Sequence, residues 1–150
     1  MHTSDLVIRP FDKATDLKPL SDVWFDASLR AHPFLGRARL TEQRRLIEDR
    51  YLPLADTTVA CLFDRPVGFI SLLDSFIGGL FVAPARQGQG IGCALIARTK
   101  SRKAELSLEV YTANEAAMRF YAAQGFGEVS RRGHDDQGLP HENAHMVWAG

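Results

Sequence analysis

The stretch from Phe76 to Tyr111 limits the fold more than any other part of the chain. Phe76 to Val82 is apolar and is stopped by Pro84. Gln87-Gly88-Gln89-Gly90-Ile91-Gly92 follows, and a helix is predicted from about Gly92 to Lys103. Glu105 to Tyr111 then alternates, with Leu106, Leu108 and Val110 facing one way and Ser107, Glu109 and Tyr111 the other. A strand, helix and strand in such close succession make a right-handed crossover between two parallel neighbours. Gly78-Gly79 interrupts the first of these strands, which predicts a bulge or a close backbone approach.

The flanking segments complete an α/β pattern. Leu6-Val7-Ile8-Arg9 reads as a strand stopped by Pro10. Leu17, Leu20, Val23, Trp24, Ala27 and Leu29 recur at helical spacing between Thr15 and His32-Pro33. A second helix is predicted from Thr41, as its N-cap, to Tyr51, closed by Pro53. Thr58–Phe63 and Val67–Leu73 read as strands around an Asp64-Arg65-Pro66 turn. Asn114–Gln124 reads as a helix ended by Gly125, with Phe126 as its apolar follower. Strands near Gly127–Arg131 and Ala144–Trp148 flank a polar loop, Gly133–Asn143. The order β-α-α-β-β-β-α-β-α-β-β predicts one domain over residues 1–150. Its sheet is mixed and twisted, of about six or seven strands, with helices on both faces.

Composition narrows the functional classes. The 150 residues are 45% hydrophobic and 24% charged, enough for a core and unlike a disordered chain. Lys+Arg and Asp+Glu are both 18, a balance that argues against nucleic acid as a main partner. No basic segment leads into an apolar run at the N-terminus. The longest apolar stretch, Phe76 to Ala83, is far short of the ~20 residues that cross a bilayer. The expectation is a cytoplasmic protein with no membrane partner. Cys61 and Cys93, without motif spacing, fit a reducing compartment.

The glycines of the 87–92 loop let the backbone approach an anion and let N–H groups converge on it. The helix that follows adds the positive end of its dipole. A phosphate or pyrophosphate is the natural ligand; the bland alternative is a plain connecting turn. Two familiar phosphate loops fail by count. A dinucleotide loop needs glycine where Cys93 or Leu95 stands, and a Walker A loop needs Gly-Lys where Cys93-Ala94 stands.

Gln87, Gly90 and Gly92 instead resemble the acyl-CoA signature of the GCN5-related N-acetyltransferases (GNAT): Gln or Arg, two residues, Gly, one residue, Gly or Ala. Asn114, Ala117, Phe120 and Tyr121, followed by Gly125-Phe126, resemble a second segment of that family. The resemblance covers residues 6–149. Within the family the chain is similar to small bacterial acetyltransferases through Ala31-His32-Pro33-Phe34-Leu35 and Leu108-Glu109-Val110-Tyr111. It implies the GNAT fold, acetyl-CoA as cosubstrate and no metal. It also implies direct acetyl transfer, in a ternary complex, to a primary amine of a protein (lysine or N-terminus) or a small molecule. The pantetheine arm would pair with the backbone of Leu80, Phe81 and Val82. The pyrophosphate would rest on Gln87, Gly88, Gln89, Gly90, Ile91 and Gly92. Asn114 would fix the loop or the cofactor, Ala117 would leave room for the CoA arm, and Tyr121 would reach the sulfur.

The chemistry needs a deprotonated amine, a stabilised oxyanion and a protonated leaving thiol. The resemblance assigns the general acid to Tyr121 and the general base to Glu109. Many relatives carry a carboxylate near Gly78-Gly79, and this chain has none there. His32, with an ordinary pKa near ~6.5, is the second candidate base and a pocket residue. Phe34 and Phe76 are candidates for the acceptor side. Without a competent base the same residues would serve a non-catalytic acyl-CoA-binding regulatory module.

Other clusters read more plainly. Arg98, Lys100, Arg102 and Lys103 suit the end of their helix. His134, His141 and His145 lie in a turn-rich segment, where metal spacing carries no weight. Arg37, Arg39, Arg44, Arg45 and Arg50 suit a solvated face or an acidic protein tail. An edge strand near the C-terminus permits a homodimer, and a monomer fits equally.

Overall fold

A computed structural model describes residues 5–150. Seven strands, β1 Leu6–Pro10, β2 Asp56–Leu62, β3 Arg65–Leu73, β4 Phe76–Val82, β5 Glu105–Tyr111, β6 Gly127–Arg132 and β7 Asn143–Ala149, form one sheet in the order β1-β2-β3-β4-β5-β7-β6. Among the described residues the only parallel pairing is β4 with β5, the predicted crossover. β7 inserts between β5 and β6, which leaves β6 at the edge.

Alternation along the strands feeds two cores. Val59 and Cys61 of β2 and Phe69 of β3 turn to one face, against Leu20, Trp24 and Leu40. Ala60, Leu62 and Ile70 turn to the other, against Ile91, Leu95 and Ile96. The first face is covered by α1 Lys13–Ala31 and α2 Arg37–Leu46, the second by α4 Ile91–Lys100 and α5 Glu115–Ala123. Among the described residues, no helix is long and apolar enough to cross a membrane.

α1 starts where its side chains satisfy its first turn. Asp12 caps it by accepting from the Ala14 N–H at 3.0 Å. Asp16, 1% exposed, takes a bidentate pair from Arg9 of β1 at 2.6 and 2.8 Å and the Asp12 N–H at 2.7 Å. These bonds hold its carboxyl below the usual carboxylate range, the Arg9 hydrogen bond contributing most and burial opposing it.

The second helix departs from expectation. It begins at Arg37, with Gly36 at φ +80° as its N-cap. Thr41 lies inside it, its hydroxyl donating back to the Arg37 carbonyl at 2.9 Å. A π-turn, Ile47–Tyr51, and a single turn, α3 Leu52–Leu54, continue the chain. Pro53 sits at the start of that last turn, where no N–H is needed, and does not close α2.

Candidate active site

The parallel strands β4 and β5 share two rungs, Phe76 with Ser107 and Ile77 with Leu108. β5 then follows β7 as far as Tyr111, while β4 follows β3 as far as Val82. The cause lies at Gly78. Ser71 faces Gly79 and Leu72 faces Ile77, so Gly78 is the extra residue of a bulge that bends β4 away. The Gly78-Gly79 interruption marks this position in the sequence.

Register decides which backbone groups face the opening. The Ala83 N–H donates to the Val67 carbonyl at 2.8 Å. Hydrogen-bonded residues alternate along an antiparallel pair, so Phe81 spends its N–H and carbonyl on β3. Leu80 and Val82 turn theirs toward the cleft. Phe81 therefore offers the cleft no main-chain group, against the expectation for all three residues, and its ring packs on Phe69 at 5.5 Å.

The glycine loop continues this edge. Gln87 Nε2 donates to the Val82 carbonyl at 3.1 Å, folding the loop back onto β4. Gly88 and Gly90 stand at φ +78° and +84°, the left-handed conformation in which side chains are strained and from which anion nests are built. α4 then starts at Ile91 with no side-chain cap, so its first-turn N–H groups have no partner within the helix. At Gly92 a Cβ would lie 3.2 Å from Phe120 Cζ, so this glycine also lets α4 and α5 pack closely.

Tyr121 is fixed by the end of α5. The Phe126 N–H donates to the Tyr121 carbonyl and the Gly125 N–H to the Ala122 carbonyl, each at 3.0 Å. With Gly125 at φ +93°, this is a Schellman motif. It sets the Tyr121 ring against Phe126 at 5.7 Å and beside Phe120 at 5.2 Å. Tyr121 belongs to the α4–α5 core, and burial pushes its phenol pKa up, so the hydroxyl keeps its proton at neutral pH.

Glu109 stands on the opposite face. Its neighbours Leu108 and Val110 point into the α4–α5 core; Glu109 and Tyr111 point toward α1. Glu109 Oε2 accepts from Arg132 Nε at 2.8 Å, and Arg132 is shared with Asp136. His145 is its register partner on β7.

The end of α1 meets the start of α5 beside this face. Asn114 Oδ1 accepts the Ala117 N–H at 3.2 Å and so caps α5. That bond orients the amide, and Asn114 Nδ2 then lies 3.2 Å from His32 Nε2, which must be the acceptor. The His32 proton is thereby placed on Nδ1. Burial lowers the His32 pKa to about 4. A ring neutral over the whole physiological range fits the pocket role better than the base role.

Four rings form one cluster here. His32 packs on Tyr111 at 5.0 Å and Phe34 on Tyr111 at 5.3 Å and on His141 at 4.9 Å. The Tyr111 hydroxyl donates to Asp135 at 3.2 Å. Burial, and then Asp135, push the Tyr111 pKa up to about 12. Asp135 accepts the N–H groups of Gln137 and Leu139, both at 3.0 Å, which holds the β6–β7 loop as a wall of this side. Phe76 shares the face but sits at the base of the cleft. Its rung partner Ser107 is four residues before Tyr111, about 13 Å along the strand.

Several other charged side chains make structural contacts. Lys100 donates to the Gln124 carbonyl at the end of α5 and lies 5.0 Å above the Trp148 ring. It thus completes its neighbour's helix end and not its own. Arg102 pairs with Asp56 at 2.9 Å. Arg44 pairs with Asp22 and Glu48, and Arg37 and Arg44 both lie over Phe25. Arg132 and Asp135 have no sequence signal as site residues, because their bonds to Glu109 and Tyr111 join positions distant along the chain.

This arrangement has known counterparts. The Acetyltransferase (GNAT) domain family model matches residues 53–128. Peptidyl-lysine N-acetyltransferase YiaC of Escherichia coli (strain K12) is 33% identical over 127 residues, 84% of this chain and 87% of that protein. The solution structure of apo-form YjaB from Escherichia coli matches with a TM-score of 0.86 at 31% identity, over 97% of this chain and 98% of that one. The crystal structure of PaiA N-acetyltransferase from Thermoplasma acidophilum in complex with coenzyme A shares the fold, with a TM-score of 0.79 at 17% identity, over 97% and 99% of the two chains. With the splayed parallel strands, the glycine loop and the capped helix that carries Tyr121, these matches show that the chain belongs to the GNAT family of N-acetyltransferases.

Proposed function

We propose that the protein transfers the acetyl group of acetyl-CoA to lysine side chains of proteins in the cytoplasm, by direct attack in a ternary complex. The observation that carries this reading is the opening between β4 and β5, with Tyr121 on one face of the sheet and Glu109 on the other. We place acetyl-CoA in this opening. The backbone of Leu80 and the Val82 N–H face the opening and would pair with the pantetheine amides, and the N–H groups of residues 88–92 would hold the pyrophosphate. Ala117, half-buried beside the capped turn, leaves space for the arm. The lysine substrate is that named for YiaC, a relative whose sequence this chain follows over most of its length.

The acceptor enters from the face of His32, Phe34 and Tyr111. Glu109 takes a proton from the ammonium, and the amine nitrogen attacks the thioester carbonyl carbon. The C–S bond then breaks, the CoA sulfur leaves with the proton of the Tyr121 hydroxyl, and the second proton shed by the acylated nitrogen restores that hydroxyl through solvent. A proton is thus removed on one face and supplied on the other. His32 and Phe34 shape the approach. The test is acetylation of a lysine peptide followed by thiol release and mass spectrometry. Glu109→Gln is expected to lower kcat/KM at pH 7 by about 100-fold, within the usual range for a general base. Wild-type turnover in that variant would remove Glu109 from the mechanism.

A further inference from the structure

The Tyr51 hydroxyl is buried and has no hydrogen-bond partner among the described residues. It also stands against the bulge that opens the cleft. A Cβ built on Gly78 would lie 1.3 Å from Tyr51 Oη, so the hydroxyl fills the place where a side chain at position 78 would begin. Gly78 follows the last β4–β5 rung, Ile77 with Leu108, and is therefore level with Glu109 across the opening. Tyr51 reaches it from the α1–α2 side of the sheet, the side on which Glu109 stands. A phenol from the π-turn after α2 occupies this point of β4, where the strand itself carries no carboxylate. An unpartnered buried hydroxyl is unfavourable in the free protein, so a donor that reached it would relieve that cost.

We propose that Tyr51 is a substrate-binding residue for the acceptor: its Oη accepts a hydrogen bond from the lysine nitrogen while Glu109, on the opposite wall, accepts another. A lysine ammonium has three donors and no acceptor, so two facing acceptors fix its position. When Glu109 removes a proton, the hydrogen bond to Tyr51 remains and holds the nitrogen in place while it turns the new lone pair from Glu109 to the thioester. Burial keeps the phenol neutral, its pKa pushed up to about 12, so Tyr51 orients the amine and does not compete for its proton. The small size of residue 78 is then a requirement of the site, since any side chain there would displace the hydroxyl.

This inference rests on acetyl transfer to lysine, so wild-type enzyme is assayed first. No transfer to any lysine peptide would overturn both readings before a variant is made. With transfer established, Tyr51→Phe is expected to raise the KM for the peptide and lower its kcat/KM roughly tenfold, the scale of one hydrogen bond. The KM for acetyl-CoA, acetyl-CoA hydrolysis without acceptor, and the Tm are expected to stay within experimental error or, for the Tm, to rise. Gly78→Ala, in which the ring must move away, is expected to reproduce the acceptor defect. Acceptor kinetics within twofold of wild type in either variant would overturn the assignment. So would a KM for acetyl-CoA that rises in step with that for the peptide.

Discussion

His32 makes folding itself sensitive to mild acid. Its imidazole is buried where α1 ends, accepts from Asn114 and stays neutral down to about pH 4, whereas the unfolded chain binds a proton near 6.5. Between those values the unfolded state holds the extra proton. Stability is therefore complete above pH 6.5 and falls as the pH drops toward 4. The slope approaches 1.4 kcal/mol per pH unit for one proton, so the window amounts to about 3 kcal/mol. That is a substantial part of the 5–15 kcal/mol typical of a domain. The assay is urea unfolding at half-unit steps from pH 7.5 to 4.5, on wild type and on His32→Gln, which keeps an acceptor near the place of Nε2. The variant need not match wild type at pH 7. The expected result is a curve about 2–3 kcal/mol flatter over the window, because carboxylates common to both proteins cancel. Parallel curves would refute the reasoning, as would a His32 ring resonance that titrates near pH 6.5.

Three further outcomes are expected. Tyr121→Phe should lower kcat by about 100-fold or more while acetyl-CoA affinity measured by calorimetry stays within twofold, since only the acid proton is lost. Gly90→Ala places a side chain at φ +84°; it should cost about 1–2 kcal/mol in urea unfolding and weaken acetyl-CoA binding. Asp16→Asn breaks the bidentate pair with Arg9 and should lower stability by about 2 kcal/mol, less than for a fully buried pair because Arg9 is partly solvated. The loss should be largest at neutral pH and shrink in acid. The wild-type Asp16, with its pKa held below the unfolded value, gives up that contribution as the pH falls through its folded-state pKa.

Most of the fold is legible in the sequence because alternation and helical spacing are local. Leu106, Leu108 and Val110 report β5 without reference to any other part of the chain, and Gly125-Phe126 reports the end of α5. The start of α2 is not legible. Thr41 has the chemistry of a cap, but Gly36 is the residue with the backbone freedom to turn the chain five residues earlier, and the Thr41 hydroxyl is used within the helix. The site divides in the same way. Gln87, Gly90 and Tyr121 belong to contiguous motifs. The side-chain bond from Asn114 to His32 and the seat of Tyr51 on Gly78 join segments far apart in the chain, and only packing brings them together. The difference between Phe81 and its neighbours is a matter of strand parity. It needs the register of β3 with β4, which no single strand contains.

The two rungs between β4 and β5 have a consequence beyond the chemistry they frame. They join two larger antiparallel plates, β1 to β4 and β5 to β6, along the weakest seam of the sheet. In the proposed complex, acetyl-CoA laid into that seam would bond to the amides of Leu80 and Val82 and act as the missing part of the ladder. It binds the folded chain and not the unfolded one, so it adds to stability by mass action, about 2.7 kcal/mol at a hundred times its dissociation constant. The amides of Leu80 and Val82 should exchange with solvent fastest when the seam is bare and slow as it fills. The melting temperature of the protein therefore reports how much acetyl-CoA surrounds it, and a cell poor in acetyl-CoA holds a softer form of this enzyme as well as a slower one.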